Sequence, residues 1–254
     1  MRGVGIRSLR GLLVVVAEDV AAGGSTWDVL RAAGERAGGE LRFGQAGPLR
    51  LLAAAHRLAL TGAAPQWAAL LPSCGGRVPL SDEALLVSWR ALVERQSEEL
   101  TGGLGREVQT NEVGRCAGLA LAVAEARMKE ARLVELGCSA GLNLRFDRFE
   151  IDLAGMVLGH PGSTVQIRPE IRGSLGGLRH AGLSLPVFTE RVGLDPHPID
   201  VTRPDGAEDV QSFVVARSAR STRPDRCSHL GGAELPSGAD RRVPRIALRC
   251  GGHR

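Results

Sequence analysis

The stretch Leu133-Val134-Glu135-Leu136-Gly137-Cys138-Ser139-Ala140-Gly141-Leu142-Asn143-Leu144 constrains the fold more than any other part of the chain. It reads as a buried strand, a glycine-containing turn and the start of a helix. Glu135 closes the strand, and Gly137 and Gly141 follow at a spacing of four. Many α/β proteins present a loop backbone to a nucleotide-like ligand in this way. Glycine lets a ligand approach the backbone that a Cβ would hold off. A helix N-terminus adds unpaired N–H groups. An acidic residue at that point suits hydroxyls or a cationic group better than phosphate. Ser139 stands where the dinucleotide pattern G-x-G-x-x-G has its second glycine. The string alone leaves two readings open: a ligand cradle, or a tight strand-to-helix turn with no ligand.

The chain has 254 residues, enough for one large domain or two small ones, and 43% hydrophobic residues, enough for a packed core. It has no tyrosine, and Lys129 is its single lysine. So arginine reflects general composition and not a selected basic surface. The formal charge of +4 is unevenly spread. Residues 210–254 carry nine arginines against Asp225, Glu234 and Asp240, a net of +6, which leaves −2 for residues 1–209. Specific nucleic-acid binding by the body of the chain is therefore not expected, although a basic tail can hold polyanions non-specifically. The five cysteines are widely spaced, with no C-x-x-C pair. Neither a zinc site nor a disulfide framework is expected, and a reducing cytoplasm fits best. The run Leu12–Ala17 follows three arginines but is short for a signal peptide, and Glu18 and Asp19 come directly after it. No stretch approaches the roughly 20 apolar residues of a membrane span.

Residues 1–104 read as a mostly helical region. Trp27–Ala37 is amphipathic, Pro48–Leu60 is Ala/Leu-rich and ends at Gly62, and Pro65–Leu71 adds a turn or two. Ser81 is a good N-cap with Asp82 and Glu83 in the first turn. Leu85, Trp89, Leu92 and Val93 then recur at helical spacing, and Gly102 and Gly103 are expected to stop that helix. Residues 105–214 read as a partial α/β domain. Thr110 is expected to cap a helix running to about Lys129. Gly114 and Gly118, one turn apart, predict a close packing contact. Phe149–Leu153, Thr164–Ile171 and Arg191–Asp195 alternate like strands. The expected class is α/β: a helical N-terminal region, then an incomplete Rossmann-like doubly wound sheet with ligands at the strand ends.

Three blocks together resemble a bacterial family of unknown function, DUF2332. They are Val108-Gln109-Thr110-Asn111-Glu112-Val113-Gly114-Arg115, the stretch Glu135–Leu144 continuing to Asp147-Arg148, and Gly193-Leu194-Asp195-Pro196-His197-Pro198-Ile199-Asp200-Val201. The segment His56-Arg57-Leu58 also fits, and the resemblance covers about residues 17–214. The family's core resembles class I S-adenosylmethionine-dependent methyltransferases, which implies a pocket for that cofactor. On this chain Glu135, Gly137 and Gly141 match the first methyltransferase motif, with Cys138, Ser139, Ala140 and Asn143 in the same loop. Asp195 matches the carboxylate that accepts hydrogen bonds from ribose hydroxyls, and a turn carboxylate capping Pro196–Pro198 is the other reading. The gap from Gly141 to Asp195 exceeds the roughly 20 residues expected. It requires an inserted hairpin at about 146–186, and Asp147 or Asp152 is the rival ribose partner. Thr110, Asn111, Glu112 and Arg115 either line a pocket above the strand ends or serve as cap, dipole partner and solvated charge. Cys138 at a helix start is expected to have a lowered thiol pKa, but no histidine is placed to serve it as a base. His160, His180 and His197 have no metal-ligand spacing.

After Phe213-Val214 the family resembles Trp-Pro-Asp-Gln followed by an Arg/Leu helix, whereas this chain reads Val215-Ala216-Arg217-Ser218. A one-base shift in a permissible codon choice restores the family pattern. Residues 215–254 are thus expected to be an out-of-frame, disordered tail, and the first 16 residues a misassigned start. The reading that results is a truncated methyltransferase-like protein, active or inactive, that binds S-adenosylmethionine and has an unidentified methyl acceptor. The alternative is a non-catalytic binding or scaffold module that uses the helical region.

Overall fold

The computed structural model describes residues 4–39, 46–77, 81–109, 112–172, 182–203, 205–214 and 245–247. The chain divides into two compact units. One holds the described residues of 1–110 and 201–232. The other holds those of 111–200 and 233–254. Thr110, Asn111, His180 and most of the segment after Val214 lie outside the described residues.

The first unit is helical: α1 (Val4–Ala21), α2 (Ser25–Arg36), α3 (Gly47–Leu60), α4 (Pro65–Ala68), α5 (Asp82–Arg95), α6 (Ser97–Leu104) and, after the second unit, α8 (Gly206–Ser212). The segment 201–214, read from sequence as part of the α/β region, therefore sits with the helices, where α8 packs on α3. The cap at Ser81 forms as expected, its hydroxyl accepting from the Ala84 N–H at 3.2 Å. Leu85, Trp89, Leu92 and Val93 all face the core. Gly102 and Gly103 do not stop α5. That helix ends at Arg95, and the two glycines lie inside α6. Gly103 is needed there for contact: a Cβ at that position would come 2.5 Å from the Ala54 Cβ on α3.

Asp19 near the end of α1 is fully buried. Its carboxylate accepts from the Thr26 N–H at 3.0 Å and from Arg90 Nε at 2.6 Å. Thr26 Oγ1 in turn accepts from the Trp89 indole N–H at 2.8 Å. Burial pushes the Asp19 carboxyl up, but the Thr26 hydroxyl, Arg90 and the Thr26 N–H outweigh it and hold it below its ordinary value. A group whose folded pKa is depressed stabilises the fold above its unfolded pKa of about 3.9 and loses that contribution as pH falls through the folded value. Thermal unfolding should therefore show a drop in Tm below about pH 4. Asp19→Asn should flatten that limb, and an unchanged limb would refute the linkage.

The second unit contains α7 (Cys116–Glu125), β1 (Glu130–Leu136), the hairpin β2 (Glu150–Leu153) and β3 (Met156–Gly159), β4 (Gln166–Ile167), β5 (Val187–Leu194) and β6 (Arg245–Ala247). Two three-stranded sheets result, in the orders β1-β5-β6 and β3-β2-β4. β1 runs parallel to β5 from the pair Glu130–Val187 to Leu136–Leu194. The hairpin expected within 146–186 is present, and β2 and β3 turn through Ala154 and Gly155, both at positive φ. α7 packs on this inserted sheet, and Phe146, Phe149, Ile151, Leu153 and Leu158 form the core between them.

Four expectations need correcting. β1 is not a buried strand: along it, alternate residues are exposed, with Val134 59% and Leu136 78% exposed. The parallel sheet is therefore covered on one face among the described residues, whereas a doubly wound sheet has helices on both. Gly114 and Gly118 make no close contact, since a Cβ at either would meet nothing within 4 Å. After the glycine turn comes not an α-helix but a kinked 3-10 turn, Asn143–Arg148. Residues 245–247, expected to be disordered, pair in parallel with β5, because an uncovered strand edge offers unpaired backbone groups.

Candidate functional site

The site gathers at the C-terminal ends of β1 and β5, which the parallel register brings level at Leu136 and Leu194. The turn after β1 is tied to β5 by its backbone. The Gly137 and Cys138 N–H groups both donate to the Leu194 carbonyl, at 2.7 and 3.3 Å. The Gly141 N–H closes the turn on the Cys138 carbonyl at 2.7 Å. Gly137, Ser139 and Gly141 all have positive φ, and for Ser139, at 51°, that conformation is unfavourable. Asp195 holds it in place: Oδ2 accepts from the Ser139 N–H at 2.7 Å, and Oδ1 accepts from the His197 N–H at 2.8 Å. The second bond is an Asx turn, the geometry of the turn-carboxylate reading.

Alternation along β1 puts Leu133 and Glu135 on its covered face. There Glu135 Oε1 accepts from Asn143 Nδ2 at 3.1 Å, and Asn143 Oδ1 accepts from the Cys116 thiol at 3.1 Å. Glu135 Oε2 is buried and has no hydrogen-bond partner among the described residues. Burial raises the Glu135 carboxyl above its ordinary value, and Asp195 adds to this, while Asn143 and the charge of Arg115 oppose it. Burial and the charge of Glu135 push the Cys116 thiol up to about 12, so it donates as a neutral S–H. Cys138 is buried, and its thiol is raised by that burial and by Asp195 and Glu135. The expected lowering at a helix start is overturned, because no helix dipole points at the sulfur and two carboxylates do.

The structure thus brings Glu135, Gly137, Cys138, Ser139, Ala140, Gly141, Asn143 and Asp195 into one loop cluster. Arg115 pairs with Glu112 at 3.4 Å, and its charge is felt at Glu135. Each rival carboxylate holds a partner on one oxygen, and Asp147 Oδ1, like Glu135 Oε2, is buried without a partner among the described residues. Asp147 binds Arg191 at 2.8 Å, and Asp152 accepts the Gly155 N–H in the hairpin turn. Two members were not read from sequence. A Cβ on Gly193 would come 2.6 Å from the Cys138 sulfur and 3.0 Å from Leu144. A glycine inside a strand is the ordinary mark of such close approach. Cys116 carried no such signal. Among the described residues no cluster of His, Cys, Asp or Glu could hold a metal ion, and no helix is long and apolar enough to cross a membrane.

Residues 9–229 match the model of a family described as an uncharacterized protein conserved in bacteria, DUF2332. The chain belongs to that family. The match takes in residues 9–16, which were expected to fall outside it, and runs past Val215, where the change of frame was expected. No curated protein and no solved structure matches the chain.

Proposed function

We infer that the β1–β5 loop cluster binds the adenosyl moiety of S-adenosylmethionine and that the unit is methyltransferase-like. The observation carrying this reading is Glu135 Oε2, a buried acceptor with no partner at the tip of a parallel strand, beside a turn of three positive-φ residues. Glu125, Asp147 and Glu208 also carry a buried oxygen without a partner among the described residues, and what singles out Glu135 is its place beside the positive-φ turn. A ligand hydroxyl or ammonium reaching Glu135 as its side chain turns outward would satisfy it. The turn supports this. Among the described residues, the Ala140 N–H donates to no backbone carbonyl and stands between the two glycines. Asp195 fits less directly, because each of its oxygens already accepts a main-chain N–H. A carboxylate oxygen has a second lone pair, so contact with a ribose hydroxyl is still open to it. In this reading Asp195 mainly shapes the loop. The cofactor supplies the methyl group. The chain's own residues orient it and exclude water, contributions that need no acid or base.

Calorimetry with S-adenosylmethionine and S-adenosylhomocysteine tests the reading. Binding by the full chain is expected, and Glu135→Gln should weaken it about 10- to 100-fold, the range for losing one charge-assisted hydrogen bond. No heat with either compound would end the cofactor reading. Gly137→Val is a poor probe, since Gly137 sits at φ 71° and a β-branched residue would strain the turn itself. The out-of-frame tail rests on composition and codon pattern alone, and resequencing through Val215 decides it.

A further inference from the structure

A second constellation lies in the helical unit. His56 on α3 is buried, 6% exposed, and both its ring nitrogens are engaged. Nδ1 lies 3.1 Å from the Ser212 carbonyl oxygen and Nε2 lies 2.8 Å from Ser73 Oγ. A carbonyl can only accept, so Nδ1 carries the proton. In the neutral ring Nε2 then has the lone pair, and the Ser73 hydroxyl must donate to it. Burial lowers the His56 pKa, against a smaller opposing effect of the Ser212 carbonyl, and keeps the ring neutral. Ser73 itself is exposed, in the 3-10 turn Pro72–Cys74. A hydroxyl at the surface that donates to a buried, oriented imidazole is the arrangement of an activated nucleophile and its base.

We propose that Ser73 and His56 form a nucleophile–base dyad that accepts acyl groups from small activated esters, with the Ser212 carbonyl fixing the tautomer. Ser73 Oγ bonds to the ester carbonyl carbon as its proton passes to His56 Nε2, and the carbonyl π pair moves to oxygen. Collapse of that intermediate expels the alcohol, which takes the proton back from Nε2. Water then repeats the sequence on the acyl-serine, releases the acid and restores the hydroxyl. Among the described residues the Ser73 N–H donates to no backbone carbonyl, whereas the Cys74, Gly75 and Gly76 N–H groups all do. In the proposal this uncommitted N–H is the main-chain donor assigned to the developing oxyanion. A Cβ at Gly76 would run into the Ala69 carbonyl oxygen, so the chain just after Ser73 packs closely on the end of α4.

The test treats the full chain with a fluorophosphonate, which loses fluoride as it phosphonylates an activated serine, and maps the adduct by peptide mass spectrometry. One adduct per chain, on Ser73, is expected. Ser73→Ala should remove it, and His56→Gln should slow its formation at least 100-fold. Absence of an adduct on Ser73 in the wild-type chain, or labelling spread over several exposed serines, overturns the dyad whether or not the variants fold. p-Nitrophenyl acetate gives the second readout: a stoichiometric burst of nitrophenolate is expected from the wild-type chain, and its absence counts against the dyad.

Discussion

Replacing Trp89 with alanine is expected to destabilise the helical unit by about 3–5 kcal/mol, the range for removing a large buried aromatic side chain. Trp89 has no exposed surface and meets Trp67 edge-on, with ring centroids 5.5 Å apart. Its indole N–H also satisfies Thr26 Oγ1, and Thr26 is one of the groups that hold the buried Asp19 carboxylate. The substitution therefore opens a cavity and removes a donor from a buried polar chain at the same time. Domains are stable by only about 5–15 kcal/mol, so a loss of this size is about a fifth or more of the total. Trp89→Phe separates the two contributions. It keeps most of the volume and loses the N–H, and should cost about 1 kcal/mol, the net value of one hydrogen bond, plus the cost of partial underpacking. Urea unfolding followed by circular dichroism measures both. A Trp89→Ala shift below about 1 kcal/mol would mean that this residue is not in a tightly packed core.

Features set by local chemistry could be read from the sequence, and features set by tertiary contact could not. Ser81 with Asp82 and Glu83, and the spacing of Leu85, Trp89, Leu92 and Val93, are local, and α5 forms as read. Glu135, Gly137 and Gly141 announce a strand and a tight turn because few residue types tolerate that backbone. The inserted hairpin followed from the length of chain between Gly141 and Asp195. Gly103 looked like a helix stop because its contact, Ala54 on α3, is remote in sequence. α6 therefore went unseen. β1 looked buried because Leu133, Val134 and Leu136 are apolar, yet residue type does not say which face of a strand finds a partner. The pairing of His56 with Ser73 and of Asp195 with Ser139 is set by packing, and neither spacing suggests it. Asp195 could be read as a carboxylate at the end of a strand, but not as the acceptor of two main-chain N–H groups.

The same geometry makes Asp195→Ala the most informative change in the second unit. The substitution removes the acceptor for both the Ser139 and the His197 N–H. Ser139 is buried, so its N–H has no ready replacement in water. Bonds from N–H groups to a charged acceptor are worth about 1.5–3 kcal/mol each, and leaving a buried donor unpaired costs more than the bond itself contributed. Ser139 would then lose the bond that holds its own N–H at positive φ, and the turn should relax toward ordinary backbone angles. The Leu194 carbonyl still holds Gly137 and Cys138, so the damage should be confined to Ser139–Gly141. Hydrogen exchange across residues 137–144 should rise at least tenfold while β1 and β5 stay protected. Affinity for S-adenosylmethionine should fall with it if the turn is the cradle. Asp195→Asn should lie between the two, since one carbonyl oxygen can replace only one of the two acceptors. If the loop stays protected in Asp195→Ala, the remaining main-chain bonds, to the Leu194, Cys138 and Ser139 carbonyls, are enough to shape the turn. Loss of affinity without loss of protection would instead give Asp195 the direct ligand contact that its position after β5 suggested.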